Sequence, residues 1–249
     1  MTITKTQIII AAALLWASTG MAQPAESEDK WSFAVAPYLW VASVSAETTV
    51  PQFGPSTPNV EKFDTSISAG LMMEAQVRYG PVGVLVDFNW LQLKTESLDP
   101  GVLYSAVDLR SDYIYSTAAL TYALPLHGKF HAEVLAGAAI WHVSTDLNVQ
   151  SGLLPGFESS NSETWVNALI GANLRYDLTR HWALLVRGTV GGFTDSNLQY
   201  DVFAGVGYQF TAWFMATIGY RYLHEDHTSG DFTFDAEAQG GLLGVVFRF

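Results

Sequence analysis

The sequence predicts an all-β fold, a transmembrane antiparallel up-and-down β-barrel of about ten strands (about eight to twelve) after a cleaved signal peptide. Three observations support this prediction. Apolar and polar residues alternate through most of the chain, no later apolar run is long enough for a membrane-spanning helix, and the last strand ends in Phe247-Arg248-Phe249. In an outer-membrane barrel, the last strand closes against the first and aromatic side chains lie in the interfacial layer.

Residues 1–22 have the pattern of a secretory signal peptide. Lys5 supplies the positive charge, Ile8–Ala17 the short apolar core and Gly20-Met21-Ala22 a small-residue cleavage site. A transmembrane anchor is the alternative, but the apolar core is shorter than the ~20 residues that a spanning helix needs.

Composition places the rest of the chain in one membrane domain. Hydrophobic residues make up 49% of the sequence and charged residues 14%, yet the longest apolar stretch after the signal is Val134–Trp141. So much apolar material without a spanning helix indicates alternation along strands. We expect residues 23–30 to form a periplasmic lead-in and residues 31–249 to form a barrel in the bacterial outer membrane. The chain has no cysteine, which excludes disulfides and a cysteine-linked lipid anchor.

Ten segments alternate with a period of two and account for the strand count in chain order. The predicted strands are 31–46, 63–79, 82–96, 108–124, 129–147, 162–178, 181–194, 198–210, 212–225 and 231–249. In the second strand, Leu71, Met73 and Val77 share one face, whereas Glu74 and Arg78 share the other. In a barrel the apolar face meets lipid and the small, polar face lines the lumen.

A soluble β-sandwich or a lipocalin-like binder is the alternative fold, because its strands alternate too. Its polar face would be outside and rich in Lys and Glu. Here the polar faces carry Gly, Ser, Asn and Arg, and the lysines fall at strand ends or in loops. These lysines are Lys30, Lys62, Lys94 and Lys129. The pattern therefore favours a polar lumen over a solvent-exposed sheet face.

The predicted connections alternate in length, with tight turns such as Tyr79-Gly80-Pro81 between longer segments. The longer segments are 47–62, 97–107, 148–161 and 226–230. Short periplasmic turns and long external loops are typical of outer-membrane barrels, and an even strand count places both termini on the periplasmic side. Each of the segments 47–62 and 148–161 is long enough to contain a further hairpin, which leaves the strand count open by about two.

Aromatic residues concentrate at both ends of the predicted strands, where amphipathic rings suit the headgroup layer. The set near the short turns is Trp31, Tyr79, Tyr122, Phe130, Tyr176, Trp182, Tyr208, Phe210, Phe214 and Phe249. The set near the long loops is Tyr38, Trp40, Trp90, Tyr113, Trp141, Trp165, Phe193, Tyr200 and Tyr222. Ordinary core packing, with some rings pointing into the lumen, is the alternative for part of these sets.

Several short motifs lie along the predicted strands. They are Pro37-Tyr38-Leu39-Trp40 near the first strand, Ala204-Gly205-Val206-Gly207-Tyr208 and Gly219-Tyr220-Arg221-Tyr222-Leu223 near the last strands, and the C-terminal Phe249. These segments resemble those of a widespread family of uncharacterised outer-membrane β-barrel proteins of Gram-negative bacteria. The resemblance covers nearly the whole mature chain and implies the fold and the location. It implies no activity and no catalytic residues.

Along each strand, odd-numbered and even-numbered residues lie on opposite faces, and this parity places a set of charges on the inward faces. The predicted lumen charges are Glu74, Arg78, Asp87, Glu133, Arg175, Arg187, Asp201 and Arg221, with Arg248 at the periplasmic mouth. Acids and arginines nearly balance, and unpaired charges in a narrow lumen would be costly. We expect either a core of paired charges or a constriction that selects solutes. Barrels near eight strands are filled by side chains, so we expect a lumen that is closed or passes only small solutes.

The predicted external half is acidic and accounts for most of the formal net charge of −12. The acids in or near the long connections are Glu47, Glu61, Asp64, Glu96, Asp99, Asp108, Asp112, Asp146, Glu158, Glu163, Asp195, Glu225, Asp226, Asp231 and Asp235. This charge disfavours nucleic-acid binding. It is compatible with divalent cations that bridge to lipopolysaccharide. The expected partners are outer-membrane lipid, lipopolysaccharide and, through the strand that ends at Phe249, the barrel-assembly machinery. The sequence gives no indication of a cofactor or of a resident metal.

Two clusters are weak candidates for chemistry. His142, Ser144 and Asp146 share one strand face near the external rim, by parity the lipid-facing one, and lipid A deacylases are barrels with a rim His and Ser. Successive side chains on one face stand about 7 Å apart, which is too far for direct proton transfer. His224-Glu225-Asp226-His227 is predicted to be a charged loop tip and lacks the helical spacing of a zinc site. The omptin-type proteases, also ten-stranded, provide a fold-level analogy only.

The sequence therefore favours a structural or interaction-bearing barrel, or a narrow passive pore. The alternative is an outer-membrane enzyme that acts at the external rim on lipid A or peptides.

Overall fold

The computed structural model describes residues 30–49, 66–98, 104–153, 155–194, 197–230 and 232–249. Ten strands follow one another in these ranges. They are β1 (Trp31–Thr49), β2 (Ser66–Tyr79), β3 (Val82–Leu98), β4 (Tyr104–Ala123), β5 (Phe130–Ser151), β6 (Phe157–Asp177), β7 (Trp182–Thr194), β8 (Asn197–Gln209), β9 (Phe214–Ser229) and β10 (Phe232–Arg248). The predicted signal peptide, most of the lead-in and most of the 47–62 loop lie outside the described residues.

The ten strands form one closed antiparallel barrel in which each strand pairs with its neighbours in sequence and β10 pairs with β1. The predicted all-β barrel with about ten strands is therefore confirmed. Within the described ranges, no helix is long and apolar enough to cross a bilayer, a finding that concerns helices alone.

The strands extend further than predicted at the long-loop end of the barrel, which is the end predicted to be external. The segment 148–161, predicted to be a loop, is mostly strand, because Asn148 pairs with Glu158 and Val149 with Phe157. The segment 226–230 is also mostly strand, since Asp226 pairs with Asp235. Backbone hydrogen bonds continue the ladder whether the side chains are apolar or charged. The predicted ends of these strands were too early, because the polar composition of the two segments was taken to indicate loops.

The outer wall carries an apolar belt. Large hydrophobic side chains stay exposed on every strand, for example Val41, Leu120, Val166 and Ile218. A monomeric soluble protein rarely exposes so continuous an apolar surface to water, whereas a membrane-spanning barrel presents such a surface to the hydrocarbon of the bilayer. The aromatic set near the short turns lies along one edge of this belt, where Trp31 contacts Tyr79, as predicted.

The C-terminal strand closes the barrel as its sequence suggested. The amide of Phe33 donates to the carbonyl oxygen of Phe249 at 3.0 Å, and the amide of Phe249 donates to Phe33 at 2.8 Å. The Phe249 side chain is exposed on the outer wall, whereas Arg248 points inward and donates to Gln209. The terminal tripeptide therefore alternates between lipid and lumen.

The predicted interfacial position is wrong for five aromatic residues of the external set. Tyr38, Trp40, Tyr113, Trp141 and Trp165 belong to, or pack against, one buried cluster. They share parity with the lumen charges, and alternation decides the side of the wall on which a ring lies. End position along a strand says nothing about that side.

The ladder between β1 and β2 is short. β1 pairs with β10 from Ala34–Arg248 up to Thr49–Thr233, but its described pairs with β2 run only from Trp31–Tyr79 to Pro37–Met73. Proline has no backbone N–H to donate to a ladder. The described pairing on this side of β1 therefore ends where the proline stands.

Candidate functional site in the lumen

The mouth of the lumen at the short-turn end, which is predicted to be periplasmic, contains two arginines. Arg175 Nε donates to Asp177 Oδ1 at 2.7 Å, and Arg248 Nη1 donates to Gln209 Oε1 at 2.9 Å. Asp177 also contacts His131, at 3.1 Å from Nε2 to Oδ2. These side chains are half-buried or exposed, so the mouth is polar and accessible to solvent.

Two ion pairs cross the lumen next. Arg78 Nη2 lies 2.6 Å from Glu133 Oε1, and Arg187 is paired with Glu74. Asn173 connects the two pairs, because it donates to Glu133 Oε2 at 3.2 Å and accepts from Arg187 Nε at 2.7 Å. Strands β2, β5, β6 and β7 thus meet across the bore through side-chain hydrogen bonds.

The centre of the lumen is occupied by Arg221. Its guanidinium binds Asp201 through Nε at 3.0 Å and Nη2 at 2.7 Å. It also donates to Asp87 at 3.2 Å, to Tyr38 at 2.8 Å and to Asn89 at 3.1 Å. Arg221 is only 4% exposed. A buried guanidinium is tolerated because two carboxylates and two neutral acceptors replace its water shell.

Aromatic rings lie against this arginine and continue outward. The guanidinium carbon stands 4.9 Å from the Trp40 ring centroid and 5.9 Å from that of Tyr115. Trp141 lies 4.5 Å from Tyr115 and stacks parallel to Trp165 at 5.9 Å. The Phe234 ring is tilted by 58° to both indoles, at 6.1 Å from Trp141 and 5.3 Å from Trp165. We call Trp40, Tyr115, Trp141, Trp165 and Phe234 the aromatic cluster.

A second polar network runs through the aromatic cluster. Glu225 is fully buried, and its Oε1 accepts from Trp165 Nε1 and from Asn167 Nδ2, both at 2.7 Å. Gln199 accepts from Trp141 Nε1 at 3.2 Å and donates to the Tyr115 hydroxyl at 2.9 Å. Among the described residues, no ion pair involves Glu225. Sequence reasoning missed this role because it placed Glu225 in an external loop. The alternation Arg221, Leu223, Glu225 was the signal that could have found it.

A cavity of about 50 Å³ lies beside the aromatic cluster. Its walls combine Trp40, Tyr115, Trp141 and Phe234 with aliphatic side chains of β1, β3, β9 and β10, and Asn89 is its polar member. The indole Nε1 of Trp40 is buried and has no hydrogen-bond partner within the described structure. The cavity is thus an almost entirely apolar space.

The candidate rim residues lie on the other side of the wall. His142 faces outward and its Nδ1 lies 2.7 Å from Thr164 Oγ1 on the neighbouring strand. Ser144 and Asp146 follow it on the same outward face. The nearest described partner of His142 is therefore a threonine of the next strand rather than Ser144.

The predicted loop tip His224–His227 is part of β9, and alternation divides it. His224 faces outward, 4.8 Å from the Tyr200 ring, whereas His227 is buried and stacks on Trp165 at 4.3 Å. In the part of the chain that the structure describes, no group of three or more His, Asp or Glu side chains has the arrangement of a metal site.

Comparisons with known proteins agree on the fold. No protein-family model and no curated protein matches the sequence. Among solved structures, the outer membrane protease OmpT from Escherichia coli superposes with a TM-score of 0.55 at 8% identity, over 91% of this chain and 99% of that one. Ail, the attachment invasion locus protein of Yersinia pestis, is also similar, with a TM-score of 0.37 at 13% identity over 89% and 99%.

At 8% identity the likeness to the Escherichia coli protease concerns the fold alone, and that fold is the closed barrel that the strand pairing shows. Together with the apolar outer belt, it establishes that the chain is an integral outer-membrane β-barrel protein.

Proposed function

We propose that this barrel is a non-enzymatic structural or interaction protein whose lumen is closed to the axial passage of solutes. The observation that carries the proposal is the position of Arg221. Its partners Tyr38, Asp87 and Asp201 come from β1, β3 and β8, so a buried network spans the bore. Two further ion pairs lie on its periplasmic side.

The energetics support a permanent closure. Opening a passage at this level would separate Arg221 from carboxylates while both remain in a low-dielectric lumen, and breaking a buried pair costs about 3–5 kcal/mol. Small barrels are filled in this way by side chains, whereas aqueous channels belong to much wider barrels. The aromatic cluster, which is buried on the external side, adds a second layer.

Planar-bilayer recordings on the refolded protein test the proposal. We expect no steady conductance from the wild type, and steady conductance would instead favour the narrow passive pore. The triple variant Arg221→Ser/Asp87→Ser/Asp201→Ser removes the central network without leaving an unpaired charge, and we expect it to raise the frequency of openings. The matched control is Arg110→Ser/Asp112→Ser, which removes the half-exposed Arg110–Asp112 ion pair and should leave the trace unchanged.

The partner proposed for the external end is lipopolysaccharide. The strand segments that extend outward carry exposed acids such as Asp146, Glu158 and Asp226, and divalent cations can bridge carboxylates to phosphates. We expect the protein to lose lipopolysaccharide during purification when a chelator is present and to keep it in Mg²⁺. Retention that does not depend on divalent cations would contradict the bridging.

A rim hydrolase is the rival function. The specific observation in its favour is that His142, Ser144 and Asp146 share the outward face of β5, where Asp146 is exposed and the other two are half-buried. The mass of lipid A from cells that express the wild type or His142→Ala discriminates the two, with the outward, lipid-facing Val166→Ala as the control. Identical spectra are expected, and a mass difference that His142→Ala alone abolishes would establish the enzyme.

A further inference from the structure

We propose that the mouth of the lumen at the short-turn end is a carboxylate-binding site, and that its ligand is the acidic segment Glu26-Ser27-Glu28-Asp29 of the same chain. This segment precedes β1 in the sequence and lies outside the described residues. The inference is independent of the proposed function, because the central network around Arg221 spans the bore whether or not the segment is bound.

Two guanidinium groups at this mouth share one carboxylate. Arg175 donates to Asp177 at 2.7 Å, and Asp177 also contacts His131. Arg248 donates to the neutral amide oxygen of Gln209 at 2.9 Å. Among the described residues, no carboxylate pairs with Arg248. The charges at the mouth are therefore unbalanced in favour of the arginines.

The two arginines converge on one point. Arg175 Nη1 lies 3.7 Å from Met215 Sδ, and Arg248 Nη2 lies 4.0 Å from the same sulfur. A thioether is a weak acceptor, and a guanidinium has five N–H donors, so both groups retain hydrogen-bonding capacity beside Met215. Like charges held this close repel each other, and a carboxylate next to them would accept charge-assisted hydrogen bonds.

The rest of the short-turn end is also basic. Lys30, Lys129 and Arg180 lie in or next to its turns and the start of β1. Glu133, the next inward acid along the lumen, already pairs with Arg78 at 2.6 Å. A negatively charged ligand is therefore favoured at this end, although the chain as a whole carries a formal charge of −12.

The segment before β1 has the charge and the position of such a ligand. Its acids are Glu26, Glu28 and Asp29, and β1 begins at this same end of the barrel. β1 pairs with β10, the strand that carries Arg248, and Ala34 stands opposite that arginine. The acids therefore enter the barrel beside the arginine that has no described carboxylate partner.

The segment is long enough to reach the mouth. Lys30 precedes Ala34 by four residues, so at ~3.3 Å per residue the two lie about 13 Å apart along β1. The four residues of the segment span up to ~14 Å when they are extended. Because the Arg248 side chain points into the bore, the segment can turn back and meet it.

Other anions are less favoured at this site. Arg175 and Arg248 contact Met215 inside the bore, so the phosphates of lipids outside the wall do not reach them. Free anions lack the covalent connection to β1. A short tether gives a ligand an effective concentration of the order of mM, which favours the segment over carboxylates in solution.

The position of the segment is measured by paramagnetic broadening of methionine methyl signals in NMR, with the barrel in lipid nanodiscs. Residues 23–249 contain Met72, Met73 and Met215. A nitroxide is attached at Ser27→Cys, and the chain has no other cysteine. We expect it to broaden Met215, at the mouth, and to affect Met72 and Met73, deep in β2, much less.

The role of charge is tested in the spin-labelled chain with a neutral-segment variant, which is Glu26→Gln/Glu28→Gln/Asp29→Asn. We expect the broadening of Met215 to fall by roughly threefold or more, because the carboxylates no longer bind the arginines. The matched control removes exposed acids of the long-loop end and should leave the broadening unchanged; it is Asp146→Asn/Glu158→Gln/Asp226→Asn. Heat-modifiable migration on gels verifies folding. Equal broadening in the wild type and the neutral-segment variant would refute the binding of the segment.

Inorganic phosphate, as a free anion, tests the site separately from the segment. It should shift the Met215 methyl signal of the neutral-segment variant at a concentration roughly tenfold lower than in the wild type, where the tethered carboxylates compete. Arg175→Ser/Arg248→Ser should abolish the shift in both chains. Equal phosphate responses in the two chains would show that the segment does not occupy the mouth. No response in either would show that the mouth is not an anion site.

Discussion

Two regions of the lumen bury carboxylates, and the side chains that surround these carboxylates differ between the two regions. In the central region, buried carboxylates meet guanidinium groups, as Asp87 and Asp201 meet Arg221. In the external region, the described partners of the buried carboxylate of Glu225 are an indole N–H and an amide, and aromatic rings pack around them. Charge balance stabilises the first region, whereas ring packing and neutral hydrogen bonds stabilise the second.

Because of this difference, we expect the stability of the two regions to respond differently to substitution. A buried ion network depends on all its members, because the loss of one leaves another charge without compensation. A packed aromatic cluster loses contact area and gains a cavity in proportion to what is removed. Coupling between substitutions should therefore be strong in the central region and weak in the external one.

The largest expected effect is that of Arg221→Met. It leaves Asp87 and Asp201 buried without a cation, and we expect the free energy of unfolding to fall by about 3–5 kcal/mol. Urea unfolding of the barrel in lipid vesicles measures it. Asp87→Asn/Asp201→Asn in the same chain should restore most of the loss, and a purely additive triple variant would contradict the charge-network description.

Phe234→Ala probes the external region in the same assay. Phe234 is 1% exposed and contacts both Trp141 and Trp165. We expect a loss of about 3 kcal/mol from the cavity that it leaves. Its effect should add to that of Arg221→Met, since the two side chains share no hydrogen bond. Strong coupling between them would show that the two regions form one unit.

Matched carboxylate-to-amide substitutions compare the regions most directly. Asp201→Asn removes a charge that Arg221 needs, so we expect a cost of about 2 kcal/mol. Glu225→Gln keeps the acceptor for Trp165 and Asn167 and deprives no cation, so its cost should stay below about 1 kcal/mol. The comparison is made from the urea midpoints of the two variants, with equal slopes of the unfolding free energy against urea concentration. A larger cost for Glu225→Gln would indicate that Glu225 has a charged role.

The smallest effect belongs to the surface. Arg110 and Asp112 form a half-exposed pair at 3.1 Å, and exposed pairs contribute about 0–1 kcal/mol. We expect Arg110→Ala to change the unfolding free energy by less than about 0.5 kcal/mol and any change to vanish in high salt. A salt-independent loss would assign this pair to the stabilising core.

Much of the architecture could be predicted from residue order alone. Alternation placed Arg78, Arg187 and Arg221 on inward faces, and the structure finds each of them bonded across the bore. The prediction was wrong at the external end. There Trp40 and Glu225 were assigned from their distance to a loop, and the strand face on which alternation places them was not considered. For both residues, the residue type and the alternation point to different positions. Trp40 is an aromatic residue on a polar strand face, and Glu225 is an acid near the rim.

The sequence by itself determined the barrel, its approximate strand count and, where alternation is unbroken and was applied, the side of the wall on which a side chain lies, because a period of two is a local property of the extended chain. Only the tertiary structure decided which acid meets which arginine, how the rings stack and where the ladder between β1 and β2 ends. Those features depend on strand stagger and closure around the barrel, which join residues as distant in the chain as Arg187 and Glu74.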